Sequence, residues 1–428
     1  MDTFKKNKKV CIIVGASHAG VNCGFALRKE GWDGEIILFD ADPELPYHRP
    51  PLSKTYLTNE AGLATAPLKS AESYARDDIQ LNLGVKIASI NAEEKKVVLD
   101  NGSVQSYNKL VLATGARPLI PLIPGLNAAN NVFPLRTAAD VEGIRSALGD
   151  KPNQKVVVIG GGYIGLEIAA SLKKAGAGVT VLEREERILA RVTASEMSDF
   201  FHKLHQENGV EVMTGKNVTA IEYERDSSIV LCSDGSTYRA DIIIVGVGIR
   251  VNIELAQQAG LTIENGIKVD ASVRTSNEHI YAIGDCTFHY NPHYDTFVRL
   301  ESVQNAVDQA KVAAASISGK DVVYNSIPWF WSDQYDVKLQ IVGLSNGYDN
   351  IVIRKEEKEQ PCFSIWYFRG NTLLSVDAIN NAKAYVVGTK FIKSNQLVNK
   401  EKLADSTVEF KPVNFIEPES KKSETRIV

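Results

Sequence analysis

The pattern of apolar and polar positions first becomes regular at residues 9–40. Val10, Cys11, Ile12, Ile13 and Val14 are an unbroken apolar run, as in a strand buried on both faces. Gly15, Ala16, Ser17, His18, Ala19 and Gly20 interrupt it. A helix is predicted from about Val21 to Glu30, then a strand from Ile36 to Phe39 that Asp40 closes. The order returns from Lys155: a strand at Val156 to Ile159, a turn of Gly160, Gly161, Gly162, Tyr163, Ile164 and Gly165, a helix to about Ala175, and a strand at Val179 to Leu182 ending at Glu183. Short strands follow in both halves. In the first they fall at Ile79 to Leu83, Lys86 to Asn91 and Lys96 to Asp100, before an apolar strand from Lys109 to Ala113 that stops at Thr114 and Gly115. In the second they fall near 210–214, 217–223 and 228–232, before Ile242 to Val245 stops at Gly246, Val247 and Gly248. Gly15 to Gly115 is 100 residues and Gly160 to Gly246 is 86, so the halves share one layout.

Strand, glycine turn, helix, strand and terminal acid are the parts of a dinucleotide-binding unit. The helix N-terminus takes the pyrophosphate and the acid takes a ribose hydroxyl. The second copy is a full G-x-G-x-x-G; the first has Ser17 where the second glycine is expected. Two dinucleotides on one chain imply an electron relay, in which a nicotinamide delivers hydride and a flavin accepts it.

Between the units, Pro50 and Pro51 forbid continuous helix, so residues 46–54 form a stiff loop delivering Arg49, Ser53 and Lys54, with a helix possible from Ser53. Residues 55–78 read as helical. Pro118, Pro121 and Pro124 mark a linker. Ile280 to Asp285 reads as a strand ending in Gly-Asp at a sheet's carboxyl edge, and a helix follows from Val303 to Ser318. After Lys320, strands near 337–343, 350–354, 362–369 and 372–376 and a helix near 381–393 make a third, α+β domain. The tail from about 411 reads as polar and loose.

Composition narrows the class. A chain of 428 residues needs more than one core, and 44% hydrophobic with 23% charged residues is ordinary for a globular protein. A net charge of −4 gives no reason to expect nucleic acid or an anionic membrane. No run approaches the roughly 20 apolar residues of a membrane span. Lys5, Lys6, Lys8 and Lys9 are not followed by the apolar stretch of a signal peptide. Cys11, Cys23, Cys232, Cys286 and Cys362 have neither CxxC nor metal spacing, so a reducing, cytoplasmic location is expected, with no metal and no redox disulfide.

The chain resembles the FAD-dependent ferredoxin reductases of bacterial P450 and oxygenase systems, the putidaredoxin reductase type of glutathione-reductase-like flavoproteins. The resemblance rests on PYHRPPLSK (46–54), VVVIGGGYIGLEIAASL, Gly284-Asp285, RLESVQNA (299–306) and PWFWSDQYDVKLQIVGLSNGYD (328–349). It implies an α/β fold with two Rossmann-like domains and a C-terminal α+β domain. FAD would be bound by residues 1–116 and 249–326, NAD by 117–248, and the last domain would run over 327–428. It implies FAD contacts from Gly15, Ser17, His18, Ala19, Gly20, Asp40, Arg49, Lys54, Ile87, Ala113, Thr114, Gly115, Arg136, Asp285 and Val303. NADH contacts would come from Gly160, Gly162, Tyr163, Ile164, Gly165, Glu183, Gly248 and Glu301. Lys54, paired with Glu167, would lie where hydride arrives.

Asp42 competes with Asp40 for the FAD ribose. Glu183 favours NADH because a carboxylate repels a 2′-phosphate, while Arg184 and Arg187 act against that preference. The resemblance further implies a monomer that passes single electrons to a [2Fe–2S] ferredoxin. At least one exposed indole among Trp329 and Trp331, and the basic residues Lys311 and Lys338, are expected near the docking face. The alternatives are a flavoprotein of the apoptosis-inducing-factor type and a rubredoxin reductase.

Overall fold

The computed structural model describes residues 9–58, 62, 67–128, 130–149, 153–224 and 227–417. Lys5, Lys6, Lys8 and residues 418–428 lie outside them. The chain forms two compact units, Met1–Ser326 and Ile327–Val428.

The first unit holds two parallel five-stranded sheets of one design. In one, Val10–Val14 lies between Glu35–Asp40 and Lys109–Leu112, with Ile79–Leu83 and Ile280–Ala282 at the edges. In the other, Lys155–Ile159 lies between Gly178–Leu182 and Ile242–Val245, with Glu211–Met213 and Val132–Pro134 at the edges. Both faces of the central strands are covered, so they are apolar without alternation. The chain leaves each central strand for the neighbour on one side of the sheet and returns later on the other side. That opens a crevice at the carboxyl edge. Each sheet is interrupted by an antiparallel meander, residues 87–106 before Lys109–Leu112 and residues 218–240 before Ile242–Val245. The two chain crossings between the sheets, Ala116–Pro118 and Ile249–Val251, pair antiparallel.

The second unit is an antiparallel sheet ordered Trp329–Gln334, Val337–Gly343, Thr372–Ile379, Phe363–Arg369, Asn350–Lys355, with the helix Ala382–Lys393 on it.

Several expectations are corrected. The prolines of residues 46–54 open a 3-10 turn, Pro50–Ser53, that ends at Ser53. Pro at its start fixes φ, and no helix begins there. Of residues 55–78, the described helix is Ala71–Arg76 alone. Residues 411–417 are ordered: Pro412–Phe415 is a 3-10 turn and Phe415 is fully buried. The cause is Arg354, 1% exposed, which donates to the carbonyls of Asp405 and Val408 and stacks on Phe410 and Phe415. Trp329, Phe330 and Trp331 form an edge strand and are all half-buried, so neither indole is exposed. Strand geometry sends Trp329 and Trp331 to one face, where their rings lie 5.4 Å apart.

Candidate functional sites at two glycine turns

The two glycine turns are built alike. Gly15 N–H donates to Phe39 O and Gly160 N–H to Leu182 O, both at 2.8 Å, which turns the chain off the strand. The last glycine of each fingerprint packs against the first. A Cβ on Gly20 would lie 1.8 Å from Gly15 O, and one on Gly165 would lie 2.1 Å from Gly160 O. The acid at the end of the second strand reaches back to the turn. Asp40 Oδ2 accepts from Ala16 N–H at 2.5 Å, and Glu183 Oε2 accepts from Gly161 N–H at 2.7 Å. Their other oxygens accept from Asp42 N–H and Glu185 N–H, so each carboxylate is held in one orientation.

The helices that follow, His18–Lys29 and Tyr163–Lys174, have no side chain capping the N-terminus and no acid in the first turn. The other described helices differ on one count or the other: Thr137 and Asp140 form a capping box on Ala138–Leu148 and Ser302 caps Val303–Ile317, while Ala71–Arg76, Ser195–Glu207 and Glu254–Gln258 lack a side-chain cap but carry an acid in the first turn. A helix end with neither a side-chain cap nor an acid in its first turn is suited to an anion. A dinucleotide pyrophosphate fits both ends on that ground.

The second glycine position resolves the Ser17 anomaly. Ser17 has φ −92° and Gly162 has φ −82°, both extended conformations open to any residue. A Cβ on Gly162 would meet nothing within 4 Å. The Ser17 side chain is therefore accommodated, and its Oγ accepts from Arg49 Nε at 3.4 Å.

Around the first turn the structure gathers charges from distant segments. Arg49 Nη1 donates to Arg136 O at 2.6 Å, and its guanidinium lies over the Tyr47 ring at 4.8 Å. Arg136 Nη2 bonds Asp285 Oδ2 at 3.0 Å. Gly115 faces the Arg136 guanidinium. Asp42 is engaged elsewhere: its Oδ2 accepts from Tyr47 O–H at 2.9 Å, and Tyr47 in turn accepts from Ala138 N–H. Asp40 and Asp42 both line a small pocket with Ala16, Ser17 and Arg49. His18 is buried. Burial holds its imidazole at about 4, and His48, Arg49 and Arg136 press in the same direction, so the ring is neutral at pH 7.

Other candidates fall at different depths. Ala113 is buried, Thr114 Oγ1 donates to Asn252 O at 2.7 Å, and Asn252 Nδ2 returns a bond to Thr114 O at 2.8 Å. Ile87 points its side chain into the core of the first sheet's meander, which leaves only its backbone to meet a ligand. Val303 opens its helix. At the second turn Ile164 is 46% exposed, Val247 is exposed and Gly248 has open space beside it. Glu301 is exposed and paired with Arg299 at 2.5 Å.

Lys54 joins the two halves. Its Nζ lies 2.6 Å from Oε2 of Glu167, which sits on the second half's helix and is 3% exposed. Sequence reasoning did not assign Tyr47 or Asn252, and it gave Ser53 no partner. Tyr47 meets the Ala138 amide, Asn252 the Thr114 carbonyl and Ser53 the Glu167 carboxylate, all far away in sequence, and no spacing rule reports such contacts.

The chain matches the family model of pyridine nucleotide-disulphide oxidoreductases over residues 9–310, and a reductase C-terminal model over residues 329–414. It belongs to the pyridine nucleotide-disulphide oxidoreductase family, the class that the two parallel sheets and paired glycine turns define. Within that class it is a ferredoxin reductase of the putidaredoxin reductase type, an FAD flavoprotein that uses a nicotinamide dinucleotide. Putidaredoxin reductase of Pseudomonas putida is 42% identical over 407 residues, covering 94% of this chain and 96% of its own. Rhodocoxin reductase of Rhodococcus erythropolis is 38% identical, covering 94% and 93%. The crystal structure of a covalent putidaredoxin reductase–putidaredoxin complex superposes with a TM-score of 0.90 at 41% identity, covering 95% of this chain and 98% of that one. Among the described residues no helix is long and apolar enough to cross a membrane.

Proposed function

We propose that the first glycine turn holds FAD, that the second holds NADH, and that the electrons leave singly to a [2Fe–2S] ferredoxin serving a P450 or other oxygenase. When bound, the two cofactors supply the redox chemistry, hydride passing from nicotinamide to flavin. The observation that carries this reading is the pair of uncapped helix N-termini, each with an inward-held acid, joined by the Lys54–Glu167 bridge.

The residues divide the work. Gly15, Ser17, Ala19 and Gly20 present backbone to the FAD pyrophosphate, with His18 neutral beside them. Asp40 accepts from the ribose in preference to Asp42, because it closes the second strand and reaches back to the turn as Glu183 does in the other half, whereas Asp42 is turned to Tyr47. Arg49 and Arg136 balance phosphate charge. Ala113, Thr114, Gly115, Asp285, and the backbones of Ile87 and Val303 complete the FAD site. Gly160, Gly162, Tyr163, Ile164, Gly165 and Gly248 receive NADH, with Glu301 at the rim. A fixed ammonium at Lys54 suits charge developing on a ring as it is reduced, and Glu167 holds it in place.

Glu183 sets the preference for NADH. Arg187 does not counter it, because its guanidinium is tied to Ser198 Oγ at 2.6 Å and Ala190 O at 2.9 Å. Arg184 pairs with Glu185. The five cysteines are free and buried, which supports a reducing, cytoplasmic setting. A monomer suits a carrier that must meet a second protein. The test is NADH-driven cytochrome c reduction with and without a [2Fe–2S] ferredoxin. Strong dependence on ferredoxin is expected; a rate indifferent to it, or restored by rubredoxin alone, would overturn the reading.

A further inference from the structure

The Lys54–Glu167 pair is not held by its own charges alone. Glu167 Oε2 takes a second bond, from Ser53 Oγ, also at 2.6 Å. Ser171, one helical turn beyond Glu167, donates from Oγ to the backbone carbonyl of Ser53 at 2.7 Å. Ser53 therefore grips the helix Tyr163–Lys174 at two points, its Oγ donating a hydrogen bond to the Glu167 carboxylate and its carbonyl accepting one from the Ser171 hydroxyl. Both serines are buried, at 3% and 6% exposure.

The consequence for Lys54 is geometric. It follows the 3-10 turn Pro50–Ser53 directly, and its N–H donates to Pro51 O at 3.0 Å. The root of the lysine is thus set by a residue clamped to the helix, and its tip by a carboxylate that the same residue holds. A long lysine side chain has several rotatable bonds and loses much entropy when fixed. A buried carboxylate also needs more than one donor to offset its desolvation. The two serines answer both needs.

We propose that Ser53 and Ser171 are positioning residues, which fix Glu167 and through it the Lys54 ammonium for the reduction of the flavin by NADH. The proposal rests on the assignment of Lys54 to the flavin given above.

The test is anaerobic stopped-flow reduction of the FAD-loaded protein by NADH, in the wild type, Ser53→Ala, Ser171→Ala, Lys54→Met and Ser53→Ala/Lys54→Met. A lost hydrogen bond to a charged group predicts a rate constant about tenfold lower for Ser53→Ala, and a smaller loss, about threefold, for Ser171→Ala. The dissociation constant for NADH should stay unchanged. The double variant should be no slower than Lys54→Met, because Ser53 acts through Lys54. Only flavin-loaded molecules give a signal, so loss of stability lowers the amplitude and leaves the rate constant alone. Additive losses in the double variant would make the serines merely structural and overturn the proposal, as would a wild-type rate in Ser53→Ala beside a slow Lys54→Met. A wild-type rate in Lys54→Met would instead overturn the assignment of Lys54, and the proposal with it.

Discussion

The two glycine turns have nearly the same backbone and opposite surroundings. In both, the last glycine is pressed on the first and an acid reaches back to the turn. The first turn is walled in by residues 46–54, by Arg136 and by Asp285, and its His18 is buried. The second presents Ile164 and Val247 to solvent and leaves Gly248 open. On the proposed assignment, the turn itself recognises only a pyrophosphate. What separates a resident cofactor from one that must come and go is how much of the chain closes over it. That is the physical basis for placing FAD in the first site and NADH in the second.

The walls of the first site are the place to break this contrast most sharply. Arg136→Met leaves Asp285 without its cation and removes the guanidinium facing Gly115. FAD affinity should fall about tenfold or more, while NADH affinity in the remaining loaded protein is unchanged. Flavin release during dilution, followed by fluorescence, measures it. At the second site, Glu183→Gln keeps a carbonyl for the Gly161 amide but removes the charge. The kcat/KM for NADH should drop about tenfold and the NADPH/NADH ratio should rise. An unchanged ratio would remove Glu183 as the selector.

Acid should affect the closed site. The folded His18 imidazole titrates at about 4, below its ordinary 6.5, because burial disfavours the cation. Between those values the unfolded chain binds the proton and the folded chain does not, so stability falls as pH drops from about 6.5 towards about 4. His289, also held at about 4 by burial, acts in the same window. His18→Asn should flatten part of this slope, read as Tm against pH. The smallest effect is expected from exchanging the second residues of the two fingerprints. Ser17→Gly and Gly162→Ser should each change cofactor affinity by about twofold or less, since neither backbone needs glycine. Loss of flavin from Ser17→Gly would make the serine a necessary contact.

Much of this comparison was legible in the sequence. Both fingerprints, both terminal acids and the loop that carries Lys54 are local patterns, and local patterns survive in one dimension. Ser17 looked like damage because the glycine rule is written for close approach to a ligand, whereas the φ here is ordinary. Long-range partners were hidden. Arg354 orders residues 403–415 from about 50 positions away, which no local polarity signal reports, so the tail read as loose. The strand Trp329–Gln334 was missed because its aromatic run drew attention to exposure rather than to the period of two. Asn252 and Tyr47 act through backbone groups across the fold, and only the folded chain shows them.

The division of labour between the two turns is tested most directly by Gly165→Val, in which the added side chain meets Gly160 O. FAD content is measured by absorbance and NADH binding by titration on the same sample. The account predicts a full complement of flavin with NADH binding abolished. A variant that loses its flavin but still binds NADH would contradict it.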